Sequence, residues 1–108
     1  MKILVLFDGN ARTVVGYFLF YDENLIGKPW TTMDRKIFIR VKHCPKTRPI
    51  RKKTRYDRLN DFTYNDDGTV TIIVPDYVRT FDYSFVSCGT SKDEVIDMEL
   101  QKKYGSSL

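Results

Sequence analysis

Lys36, Phe38, Arg40 and Lys42 stand at alternate positions of "KIFIRVK", residues 36 to 42. In an extended strand that spacing puts three cations and an aromatic ring on one face, with Ile37, Ile39 and Val41 on the other. A charged face with an aromatic platform can hold single-stranded nucleic acid, because cations pair with phosphates and a base stacks on the ring. The chain then continues through Lys46, Arg48, Arg51, Lys52, Lys53 and Arg55. Pro45 and Pro49 exclude a regular helix across this stretch, so a basic loop at about 45–58 is expected. Residues 35–58 hold eleven Lys or Arg against one acid, Asp57, leaving seven basic and thirteen acidic residues elsewhere. The net charge of +4 thus hides a strong segregation. A positive region on an acidic body orients the approach of an anion.

A blander reading stands beside this one. Outward Lys and Arg protect an edge strand from edge-to-edge pairing, a long basic loop can be merely solvated, and Phe38 could pack beneath a helix. The density of like charge favours anion binding, since a bound anion relieves the repulsion. Trp30, the single tryptophan, follows Pro29 in "GKPWTT". It suits either a partner-binding anchor or a lid over one end of the core, and the lid is the commoner role. "RKKTR" also has the form of a nuclear-import signal.

Residues for catalysis are sparse. His43 lies on the core-facing parity of its strand and has no second histidine. Cys44 next to it forms no nucleophile with an oriented base. No Gly-rich phosphate loop and no serine elbow occurs. The opening "KILVLFDGN" resembles the first strand of PIN-type and flap-endonuclease-type nucleases, where an Asp ending a parallel strand before Gly-Asn helps to hold a catalytic metal. The resemblance covers about nine residues and implies an α/β fold with further carboxylates at later strand ends. Here "DGNAR" runs straight into another strand, so Asp8 reads as a turn residue. No catalytic residue, metal or cofactor is expected, and metal-dependent nuclease is the nearest enzyme reading.

The elements that must position these residues are mostly strands. "KILVLF" and "TVVGYFLFYD" form a hairpin about an Asp-Gly turn, and their unbroken apolar runs suit central strands covered on both faces. "ENLIGKPWTTMD" reads as a loop by its Gly and Pro. "DFTYNDDGTVTIIVP" is a second hairpin with Val70, Ile72 and Val74 on one side, and "TFDYSFVSC" is a last strand. The period then changes. Ser91 and Glu94 match a capping box, and Ile96, Leu100 and Tyr104 form a helical stripe widened by Val95 and Met98. Lys102, Lys103 and Gly105 close a helix at about 92–104. The expected fold is α+β: five to six mainly antiparallel strands, as a bent sheet or small barrel, with a C-terminal helix in a single domain, 1–108.

Two cysteines, Cys44 and Cys88, are too few for a disulfide framework, although they could pair. The first apolar run, Ile3 to Phe7, is too short for an export signal or a membrane span. An intracellular protein without membrane contact is expected. Two functions fit: a non-catalytic domain contacting RNA or single-stranded DNA, or an interaction or structural subunit, for instance of a virus or phage, docking its basic loop on an acidic protein surface.

Overall fold

Every residue from Ile3 to Phe7 is buried, and that single fact sets the layering. Successive strand side chains point to opposite faces, so a run with no polar member needs cover on both. Leu4 and Leu6 enter one hydrophobic cluster. Ile3, Val5 and Phe7 enter another.

The computed structural model describes residues 2–20, 25–41, 49–51, 62–87 and 91–105. The elements are β1 (Lys2–Asp8), β2 (Thr13–Phe20), β3 (Leu25–Thr31), β4 (Lys36–Val41), β5 (Pro49–Arg51), β6 (Phe62–Tyr64), β7 (Thr69–Ile73), β8 (Phe81–Ser87) and α1 (Lys92–Tyr104). A first sheet has the order β5-β2-β1-β8 and a second the order β3-β4-β7-β6, with antiparallel neighbours throughout.

One cluster fills the space between the sheets, with Leu4, Leu6, Val15 and Phe18 of the first meeting Ile37, Ile39, Val70 and Ile72 of the second. The other lies on the far face of the first sheet, under Ile96, Val95, Leu100 and Tyr104 of the helix. The order is therefore helix, first sheet, second sheet. A register shift in the β1–β2 ladder sets Val14 opposite Phe7 and Gly16 opposite Leu6, leaving Val15 as the extra residue of a bulge. That bulge sends Val14 to the helix side and Val15 to the inter-sheet side, and both are buried.

The helix begins where the capping box predicts. Ser91 Oγ accepts from the Glu94 N–H at 3.3 Å, Asp93 and Glu94 occupy the first turn, Lys102 and Lys103 the last, and Gly105 is the C-cap. Ile96 is fully buried, worth about 1.5–3 kcal/mol relative to an exposed side chain.

The fold is α+β as expected, antiparallel strands with a C-terminal helix; the strands number eight among the described residues and lie in two sheets, not in a closed barrel. Three expectations need correction. The segment read as a loop before Asp34 carries β3, an edge strand. There the missing N–H of Pro29 is tolerated, and the ladder to β4 is irregular between Ile26 and Trp30. Pro49–Arg51, inside the expected basic loop, pairs with Phe18–Phe20 as β5. Met98 does not widen the packed stripe: it follows Ile96 by two residues, about 200° round the helix, and is 64% exposed.

Candidate binding groove on the open face of the second sheet

The alternation in β4 produces the expected division. Ile37, Ile39 and Val41 are buried, whereas Lys36 and Arg40 are exposed and Phe38 is half-buried. The helix covers the other sheet, so Phe38 does not pack beneath it. Trp30 sits directly opposite Phe38 across the β3–β4 ladder. Their rings are stacked, with centroids 5.5 Å apart and planes 17° from parallel. At 41% exposure Trp30 is no lid over the core; it shares the outer face with Phe38. The Arg40 guanidinium lies 5.2 Å from the Trp30 ring centroid, a cation–π contact that holds the charge beside the aromatic pair.

On the other side of β4, Phe38 pairs with Thr71 and Arg40 with Thr69 of β7. The result is a groove of about 610 Å³. Trp30, Phe38, Arg40 and Ile26 line one side; Thr69, Thr71, Asn65 and Asp67 line the other. The polar side is tightly organised. Asn65 Nδ2 donates to Thr69 Oγ1 at 2.9 Å and to Thr71 Oγ1 at 2.8 Å. Asp67 Oδ1 accepts from the Thr69 N–H at 3.0 Å and from its hydroxyl at 2.5 Å. These two bonds from Thr69 hold the Asp67 carboxyl below its ordinary pKa, with a smaller contribution from the charge of Arg40.

The electrostatics are more mixed than the sequence count suggests. Lys36 Nζ lies 3.6 Å from Asp34 Oδ2, and Asp34 is also held below its ordinary pKa, first by the Thr32 hydroxyl. An exposed pair of this kind is weak, so Lys36 can exchange its partner for a phosphate at little cost.

The structure thus brings together Lys36, Phe38, Arg40 and Trp30 of the residues predicted to bind. For Arg51 it gives the strand pairing with Phe18. Lys42, Lys46, Arg48, Lys52, Lys53 and Arg55 lie outside the described residues, as do His43, Cys44 and Cys88. Asn65, Asp67, Thr69 and Thr71 were not singled out from sequence. For the two threonines the signal was the outward parity of "TVTII", where Thr alternates with buried Val70 and Ile72.

Asp8 behaves as a turn residue: its Oδ1 accepts from the N–H groups of Asn10 and Ala11 at 3.0 and 3.3 Å. β1 leads through this turn into its antiparallel neighbour β2. Among the described residues no group of three or more His, Cys, Asp or Glu is placed to hold a metal ion, and no helix is long and apolar enough to cross a membrane. Comparison with models of known families, with curated proteins and with solved structures finds no match to this chain.

Proposed function

We propose that this protein is a non-catalytic binding domain that holds single-stranded nucleic acid across the outer face of its second sheet. The observation that carries this reading is the stacked Trp30–Phe38 pair, exposed beside Arg40 and Lys36 on a sheet face that neither the helix nor the other sheet covers. Aromatic rings take bases of any sequence, and adjacent cations take the phosphates. The basic residues that follow β4 in the chain, from Lys42 to Arg55, add positive charge that attracts phosphates. Substituting Arg51, Lys52 and Lys53 together by Ala should lower the slope of log affinity against log salt by roughly 2 units for a single strand, with similar losses for unrelated sequences.

A second reading, docking on a protein partner, is favoured by Ile26, Trp30 and Ile73, three large apolar side chains exposed on strands of the second sheet. Binding of single-stranded and duplex oligonucleotides to the wild type and to Phe38→Ala separates the two. Nucleic-acid binding requires that Phe38→Ala weaken the single strand by about 1–3 kcal/mol and the duplex by less. Wild-type protein that binds neither at about 0.15 M salt would overturn the nucleic-acid reading and leave the docking reading standing.

A further inference from the structure

The outer strands of the two sheets are unequally protected. An edge strand presents a row of N–H and C=O groups on which another strand can pair, and shortness, proline, lysine or an irregular ladder blunts it. β5 and β6 have three residues each, and β5 begins with Pro49. β3 carries Lys28 and Pro29, and its ladder is irregular. β8 has none of these devices. It has seven residues without Lys, Arg or Pro, it pairs with β1 in unbroken register, and among the described residues β1 is its one strand neighbour. Its side chains point the same way. Phe81, Tyr83 and Phe85 pack against the inter-sheet core yet stay half-buried. Their rings form a row, Phe81 stacked on Tyr83 at 5.8 Å and Tyr83 meeting Phe85 edge-on at 6.3 Å. Asp82, the strand's one charge, is neutralised by Lys103 of α1, whose Nζ lies 2.9 Å from Oδ2. Asp82 Oδ1 accepts from the Tyr83 N–H at 2.7 Å, which marks the odd-numbered backbone groups of β8 as facing away from β1.

We propose that β8 is a self-association edge, on which a second copy of this chain pairs its own β8 antiparallel about a twofold axis. Overlap of the whole strand sets Ser84 opposite its own copy. Tyr83 then lies opposite Phe85 of the partner subunit, Phe81 opposite Ser87 of the partner subunit, and Asp82 opposite Val86 of the partner subunit. This register joins odd-numbered positions to odd-numbered positions, as the outward hydrogen-bonding groups require. Aromatic side chains face each other and no like charges do. The Tyr83 N–H exchanges the exposed Asp82 carboxylate for a backbone carbonyl. One strand thus supplies both halves of a matched and locally neutral ladder, and this singles out a second copy as the occupant. The pairing would join two four-stranded sheets into one and leave the groove on each second sheet open, so it is independent of the nucleic-acid reading.

Sedimentation velocity of nuclease-treated protein, over a concentration series up to about 0.1 mM, tests this. Wild type should shift from monomer to dimer along the series. Ser84→Lys and Ser84→Glu each set like charges across the axis, so each variant alone should stay monomeric. Ser84 is half-buried, and both variants should melt close to wild type. Mixed in equal amounts, the two should recover the dimer, because opposite charges then face each other. Recovery also separates a blocked edge from a variant that fails to fold. Wild type that is monomeric throughout, a dimer that either variant retains alone, or a mixture that stays monomeric overturns the proposal.

Discussion

The two sheets are built from the same kinds of residue but differ in what lies over them. β1, at the centre of the first sheet, has the inter-sheet core on one side and α1 on the other. β4, at the centre of the second, has among the described residues the core on one side only. Their sequences differ in the same way, an unbroken apolar run in "KILVLF" against alternation in "KIFIRV". A strand covered on both faces leaves few side chains for binding, since most serve packing. A strand covered once presents half its side chains to solvent, and in β4 those are Lys36, Phe38 and Arg40. The binding proposed above accordingly uses the sheet that the helix leaves open.

The sharpest way to break this contrast is to make the same truncation in each sheet. Phe7 is fully buried and meets Tyr104 edge-on at 5.9 Å, so Phe7→Ala should cost about 3–5 kcal/mol. Phe38→Ala should cost no more than about 1–2 kcal/mol, mainly the stack on Trp30 and its partly buried area. Urea melts of both variants decide it; equal losses would mean that the second sheet's outer face is structural.

Next in size is the charge on the open face. Replacing Lys36 and Arg40 together by Ala should reduce the slope of log affinity against log salt by about 1.4 for single strands, while the melting temperature stays near that of wild type. An unchanged slope would remove these two residues from the phosphate track.

A smaller effect concerns acid. Asp34 and Asp67 have folded pKa values below their ordinary 3.8. Their contribution is thus present above that pH and lost as pH falls through the folded values. Both are exposed, so the acid limb of stability should be only slightly less steep in Asp34→Asn. A limb steeper than wild type would contradict the sign. Smallest is Arg35→Gly. Arg35 adopts a left-handed φ of 64° in the β3–β4 turn, and glycine there should shift stability by no more than about 1 kcal/mol, in the favourable direction. A clear loss would show that the Arg35 side chain matters more than its backbone strain.

Much of the layering was legible because local patterns reported it. The run in β1, the alternation in β4 and the Ser91–Glu94 capping box each depend on residues a few positions apart. β3 was not legible, since Gly27 at φ 70° and Pro29 are loop signals and only pairing with β4 makes the segment a strand. The role of Trp30 was left between an anchor and a lid, because its place opposite Phe38 is a matter of register. The polar half of the groove was hidden for the same reason: Asn65, Asp67 and Thr71 meet Phe38 only through the β4–β7 pairing, about thirty residues away in the chain. The aromatic and basic half lies on one short strand and could be read directly.

Trp30 offers the most direct test, because it is the chain's single tryptophan and stands in the groove itself. Its emission should be measured while a single-stranded oligonucleotide is added at about 0.15 M salt, then while salt is raised. Bases stacking at the Trp30–Phe38 pair predict saturable quenching that salt reverses and that Phe38→Ala weakens. Emission that stays unchanged while the oligonucleotide binds would place the ligand elsewhere on the molecule and contradict the assignment of function to this face.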